Sequence, residues 1–229
     1  MSFADLQFLF YFLPAFLAVY YIAPRAWKNA VLVLGSFGFY FFGAGARDTL
    51  LLTAAVLVHY ALARLMTGRG RGTRRFLLAL ALAADLYCLV FFKYAGFILE
   101  NVGILTHQTF PPVSLVLPLG VSFYLFQSAG YLIDVYRGAE AETSLVRYAA
   151  FTAAFPQLIM GPILRYDDWR APLKARTLTR TDAEEGFERF VIGLCFKVLL
   201  ADQLAPLWAA LDRIGYEYLS TPLAWLGAV

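Results

Sequence analysis

The sequence predicts an all-α fold, a polytopic transmembrane helical bundle with one re-entrant broken segment, and three observations carry that prediction. Of the 229 residues, 61% are hydrophobic and only 15% are charged, whereas soluble domains carry roughly 25% charged residues. The apolar residues fall in blocks near the length a bilayer imposes on a helix, on the order of 20 residues. Lys and Arg crowd into alternate connections between those blocks, as expected when basic loops stay on the cytoplasmic side. A mean hydropathy of +0.64 does not suit a chain that must cover itself with water-facing surface, so residues 1–229 read as one membrane domain.

The first span, 6–23, follows Asp5 with no Lys or Arg before it, and Pro24 stands where a small residue would follow signal cleavage. It therefore reads as a retained span rather than a leader. Arg25 and Lys28 come next, then span 30–44, a connection with Arg47 alone, and span 49–65. Arg64, Arg69, Arg71, Arg74 and Arg75 surround the following turn, a solvated charge run. Spans 76–99 and 113–134 are joined by a stretch that holds no basic residue from Tyr94 to Tyr136, after which Arg137 and Arg147 appear. This alternation predicts an external amino terminus and five ordinary crossings. Cys88 and Cys195 lie inside apolar blocks and read as packing residues.

Segment 148–164 breaks the pattern, because Arg165, Arg170, Lys174, Arg176, Arg180 and Arg189 follow it. A full crossing would put all of them outside, while a segment that dips in and returns keeps them inside. Pro156 and the Gly161-Pro162 pair supply the break, since proline removes a helix hydrogen bond and clashes with the preceding turn. Non-helical backbone at membrane depth survives only where protein buries it or a wet cavity receives it. Further on, Thr181-Asp182-Ala183-Glu184 reads as a capping box opening a helix with Glu185 and Glu188 near its start. Its apolar side carries Phe187, Phe190, Val191 and Leu194 into span 187–210. Loop 211–221 is then external, with Arg213 its one basic residue. A last helix starts at 222 and reaches only Val229, short of a full span, so the chain is expected to be incomplete at its carboxyl end and inactive alone.

Two blocks resemble a known family. The first is Leu117-Pro118-Leu119-Gly120-Val121-Ser122-Phe123 with Gln127, Tyr131 and Asp134-Val135-Tyr136-Arg137-Gly138; the second runs from Phe155-Pro156-Gln157 through Gly161-Pro162 to Arg165-Tyr166. With Phe92-Lys93-Tyr94 upstream, they resemble the membrane-bound O-acyltransferases, in the bacterial alginate O-acetylase-like branch, over its amino-terminal half. The resemblance implies a membrane-embedded chamber built partly from broken helices. It also implies O-acyl transfer, O-acetyl in this branch, from a cytoplasmic donor to a cell-envelope polysaccharide such as alginate. The donor would be acetyl-CoA or an acyl carrier acting as co-substrate, with no bound cofactor. The implied partners are the lipid bilayer, periplasmic acyl-accepting or acyl-transferring proteins and the polysaccharide synthesis machinery. The implied location is the inner membrane, and the family's catalytic histidine is expected beyond Val229.

Several residues here are candidates for a polar cavity or for structural pairing. Gln127, Tyr131 and Asp134 share one helical stripe at i, i+4 and i+7, which can hold helices together or face a donor or acceptor passage. Gln157 and Arg165 belong to the second block. His59, buried in the third span, can serve as a hydrogen-bonding core residue or line a cavity, whereas His107 reads as a solvated loop residue. Asp85 and Lys197 lie deep in apolar blocks, where charges are costly and mark an internal pair or a pathway. His59 and Lys93 are the partners considered for Asp85. Neither histidine stands in the family's catalytic motif. No metal-spaced His/Cys cluster, nucleotide loop or Gly-x-Ser-x-Gly elbow occurs. The Arg-rich loops suit topology and anionic lipid rather than nucleic acid. A transporter or flippase subunit and a non-catalytic membrane scaffold of an envelope-synthesis complex are the alternatives.

Overall fold

The computed structural model describes residues 5–107, 116–159, 161–176, 179–214 and 220–228. All regular structure in them is helical: α1 (Leu13–Ile22), α2 (Lys28–Met66), α3 (Arg71–Thr106), α4 (Val121–Arg137), α5 (Leu145–Ala153), α6 (Phe155–Leu158), α7 (Tyr166–Lys174), α8 (Arg180–Cys195), α9 (Asp202–Ile214) and α10 (Thr221–Ala228). Among the described residues three helices are long and apolar enough to cross a membrane: Arg25–Met66, Arg71–Thr106 and Arg180–Ile214. The fold is thus an all-α membrane bundle. The beginning of segment 113–134, position 160 within 148–164, much of loop 211–221 and Val229 lie outside the described residues.

The chain forms two compact units, with residues 11–176 in one and residues 2–10 and 177–229 in the other. In the first unit α2 combines segments 30–44 and 49–65 around a break at Gly45, where φ is 85° and ψ 175°. Only glycine enters that region without strain. Around this long element pack α3, α4 and α5, with Tyr40, Leu52, Val56, Leu132, Tyr148 and Phe151 at the centre of the core. Helix α5 is enclosed: every residue from Tyr148 to Ala153 is buried. Segment 148–164 is helical to Ala153, interrupted at Ala154, helical again over Phe155–Leu158 and non-helical over 161–165. Cys88 packs against the core, while Cys195, in the other unit, is exposed.

The second unit presents most of its large apolar side chains outward, including Phe187 at 70% exposure and Trp208 at 61%, with Phe8 and Leu211 buried. Its capping box differs from the one expected. Thr179, not Thr181, is the N-cap, and Asp182 completes the box by accepting from the Thr179 amide at 2.9 Å while Thr179 Oγ1 accepts from the Asp182 amide at 3.1 Å. Thr-x-x-Asp two residues upstream meets the same geometric demand. That frees Glu184 to pair with Arg180 at 3.0 Å, one turn apart on the surface. A π-helical turn, Phe196–Ala201, joins α8 to α9. Lys197 pairs with Asp202, five residues on, and both are exposed.

Candidate functional site

A continuous helix through 151–155 would bond the Phe155 amide to the Phe151 carbonyl. The extended backbone of Ala154 (ψ 117°) breaks that bond, and both freed groups are buried. Three side chains take them up. Gln127 Nε2 and Gln157 Nε2 both donate to the Phe151 carbonyl, at 2.9 and 2.5 Å. The Phe155 amide donates to Ser36 Oγ at 3.1 Å, and that hydroxyl donates on to the Leu32 carbonyl at 2.6 Å. An unpaired buried amide or carbonyl costs about 1–3 kcal/mol, so these contacts decide whether the break can exist inside the protein.

The two family-like blocks meet here. Gly120, the N-cap of α4, has a φ of 68°, and a Cβ there would lie 2.5 Å from the Leu158 carbonyl oxygen. Only glycine allows that backbone approach. Tyr40 on α2 fixes the same turn by donating to the Leu119 carbonyl at 2.6 Å.

A second polar knot lies at the far end of α4. The chain leaves that helix through Gly138 and Ala139, whose amides bond Val135 and Asp134 carbonyls at 3.1 and 2.9 Å. Arg74 from α3 reaches across to donate to the Val135 and Tyr136 carbonyls. The loop then turns Glu142 inward. Its Oε1 accepts from the Thr143 and Ser144 amides, each at 2.8 Å, and from Arg147 Nε and Nη2 at 3.0 and 2.5 Å. Its Oε2 accepts from the Tyr166 hydroxyl, and its amide donates to the Tyr131 hydroxyl at 2.8 Å.

Burial by itself would raise the Glu142 carboxyl, but hydrogen bonds from Arg147, Tyr166 and the Ser144 amide, with the Arg147 charge, hold it at about 2 against an ordinary 4.5. Burial, then the bond to that carboxylate, pushes the Tyr166 phenol up, so it stays a neutral donor. The rings close the space between the knots: Tyr131 stands 4.8 Å from Tyr148 and 5.2 Å from Tyr166, and Phe151 stands 5.1 Å from Tyr166. Tyr148 meets Ser128 Oγ at 3.2 Å.

Of the residues singled out from the sequence, Gln127 and Gln157 converge on one carbonyl, and Tyr131 lies between the knots. Asp134 is half-buried at the end of the same stripe, where its backbone carbonyl accepts from the Ala139 amide. Arg165 is exposed at the N-cap of α7 without a side-chain cap bond. His59 and Asp85 form a separate buried pair, Nε2 to Oδ2 at 3.0 Å, with His59 Nδ1 2.8 Å from the Ala55 carbonyl. Lys93 is not in that pair; it is exposed, with its ammonium 5.5 Å from the Tyr94 ring centroid. His107 is exposed at the C-cap of α3.

Glu142, Arg147, Ser36 and Tyr166 belong to the site without having been singled out. Tyr166 alone carried a signal, as the last residue of the second block. Among the described residues no group of three His, Cys, Asp or Glu side chains could hold a metal. The arrangement holds an interrupted segment in the interior, with the backbone groups freed at Ala154 taken up by Gln127, Gln157 and Ser36.

The chain is 41% identical, over all of its own length, to "Probable alginate O-acetylase AlgI" of Azotobacter vinelandii, of which it covers 47%. Against the protein of the same name from Pseudomonas aeruginosa it is 40% identical, again over its whole length, and covers 45%. "Peptidoglycan O-acetyltransferase" of Helicobacter pylori is 29% identical over 86% of the chain, which covers 44% of it. No family model and no solved structure matches the chain. It spans about half the length of the curated relatives it matches. The likeness that the two sequence blocks implied thus extends over the whole of this chain, which is homologous to the proteins named alginate O-acetylase.

Proposed function

We propose that this chain forms the membrane-embedded framework of an O-acetyltransferase that moves an acetyl group from a cytoplasmic donor toward a cell-envelope polysaccharide such as alginate. The observation that carries this reading is the buried break at Ala154, held by Gln127, Gln157 and Ser36 at the meeting of the two family-like blocks. Such a break gives the bundle interior backbone that a chain of continuous helices lacks. Non-helical backbone at membrane depth occurs where protein buries it or where it lines a water-filled cavity, which suits a passage from one membrane face toward the other. The names of the relatives support acetyl as the group and an envelope polysaccharide as the acceptor.

In this reading the base that activates the acceptor hydroxyl or a carrier thiol is a histidine in the part of the relatives' length that this chain does not span. Acetyl-CoA or an acyl carrier supplies the acetyl group, and periplasmic acyl-accepting proteins and the polysaccharide synthesis machinery receive it. The protein lies in the inner membrane with its amino terminus outside. The basic loops support that orientation, which reporter fusions at positions 70, 105 and 175 test by reporting inside, outside and inside.

The function is tested in a strain deleted for the complete gene. Restoring that gene should restore acetyl ester on the envelope polysaccharide, and the same gene carrying Gln127→Leu with Gln157→Leu should not, although the protein reaches the membrane. Broken segments and buried ion pairs also suit a transporter. Transport of unmodified polymer with no donor-dependent acetylation would establish that reading instead.

A further inference from the structure

We infer that the first unit carries a site for one anionic glycerophospholipid, with an acyl chain between α1 and α2 and the phosphate on Lys28 and Arg176. Two observations support it independently. A hollow of about 310 Å³ is walled by Phe12, the N-cap of α1, by Phe16 and Val19 of α1 and by Val31 and Leu34 of α2. Its lining is wholly apolar side chain, and Gly35 on α2 lets the Phe16 ring lie against the helix backbone: a Cβ there would sit 2.6 Å from that ring. The lining of the cleft has the chemistry of a hydrocarbon chain.

The second observation is a basic, aromatic end to the same wall. Phe12, Phe16 and Tyr20 stack in succession along one face of α1, at centroid distances of 5.9 and 5.8 Å. At Tyr20 the ladder passes from hydrocarbon to charge. Lys28 Nζ lies 5.2 Å from the Tyr20 ring centroid, and Arg176 reaches the same ring at 5.7 Å while donating to its hydroxyl. A further hollow of about 260 Å³ opens there, lined by Tyr20, Trp169, Arg176 and Asp168 among others. Arg176 and Asp168 line this hollow and Lys28 stands over the same Tyr20 ring, so the three side chains together leave a net charge of +1, complementary to a single phosphodiester, and Asp168 can accept from headgroup hydroxyls. Tyr and Trp are the side chains that settle at the level of lipid headgroups, and basic pockets between membrane helices take anionic headgroups. The rings also tie the site to the break, since Phe155 packs 5.4 Å from Phe12 and 5.1 Å from Phe16.

The test is native mass spectrometry of the purified protein released from detergent micelles doped with equal amounts of dioleoyl phosphatidylglycerol and dioleoyl phosphatidylcholine. The protein should retain one phosphatidylglycerol in preference to phosphatidylcholine. A basic residue at a membrane surface contributes roughly a factor of five in affinity, so Lys28→Gln with Arg176→Gln should cut retention by about 25-fold and abolish the preference. Leu34→Trp changes a side chain that is 72% exposed, so the fold should survive. It should block the apolar hollow and lower retention of both lipids while the cations remain. Equal retention of the two lipids, a preference that survives the double substitution, or no retained lipid would each overturn the inference. So would displacement of the lipid by millimolar glycerol phosphate, which would make the site an anion site without a use for the hollow.

Discussion

The first unit interrupts a helix at Gly45 and again at Ala154, and it treats the two breaks by opposite means. At Gly45 the residue itself solves the problem: it is exposed, it adopts a backbone conformation open to glycine, and its carbonyl accepts from Thr49 Oγ1, one turn on, at 2.8 Å. At Ala154 the backbone conformation is ordinary and the residue is unremarkable, but the place is buried. There the freed groups draw in Gln127, Gln157 and Ser36 from three different elements. A turn near water needs a permissive residue, whereas a turn in the interior needs dedicated hydrogen-bonding partners. The difference separates a connection between two helices from a constructed feature of the protein interior.

The largest test of that contrast removes the charge that anchors the loop ahead of the buried break. Glu142→Leu removes the acceptor of Arg147, Tyr166 and the Thr143 and Ser144 amides, and because the Arg147 side chain stays 28% exposed the loss should be about 2–3 kcal/mol, below that of a fully buried pair. Denaturant unfolding in detergent should register that loss. Acid should show it too. The Glu142 carboxyl titrates at about 2 in the folded protein and near 4.5 ordinarily, so its contribution is complete above about pH 4.5 and is lost as the pH falls toward 2. Glu142→Gln should remove that part of the acid profile, and an unchanged profile would show that the carboxylate does not anchor the loop.

Close to it in size is the carbonyl of Phe151. Gln127→Leu with Gln157→Leu leaves it with no donor and should cost about 2–3 kcal/mol, the upper range for an unsatisfied buried group. Either change alone leaves one donor in place and should cost under about 1 kcal/mol. A double-mutant cycle should therefore be strongly non-additive. Additive losses would mean that the two amides do not share the carbonyl.

The smallest effects compare two hydroxyls directly. Ser36→Ala removes the hydroxyl to which the buried Phe155 amide donates and should cost about 1–2 kcal/mol. Thr49→Ala removes a hydroxyl bond of similar length at the exposed break and should cost no more than about 0.5 kcal/mol. Equal melting shifts for the two variants would erase the distinction between the breaks.

Much of the framework was legible in the sequence because bilayer thermodynamics is severe. Apolar length marks helices, and a charge inside an apolar block demands a mate, which is why His59 and Lys93 stand out in the sequence as partners for Asp85; the fold brings His59 to it. Gln157 was legible through its block, although its sharing of a carbonyl with Gln127 was not. Glu142 was illegible for a physical reason. It lies in a loop between Arg137 and Arg147, where a charge is ordinarily solvated, and only the approach of Tyr131 and Tyr166 buries it. Lys197 was expected to mark an internal pair or pathway; its partner is Asp202, brought within reach by a π-helical turn, and both are exposed. The capping box was placed two residues late because Thr179 and Thr181 both offer a hydroxyl with an acid three residues on.

The pairing of His59 with Asp85 has an electrical consequence. The Ala55 carbonyl can only accept, so Nδ1 of the imidazole carries a proton. The contact from Nε2 to the carboxylate then requires one more proton between them, on either partner. Wherever that proton sits, the two side chains together have no net charge. A lone carboxylate halfway through a membrane would exchange about 1 kcal/mol with the field for every 100 mV of membrane potential. The pair exchanges almost nothing, so an energised membrane exerts little pull on the contact that ties α2 to α3.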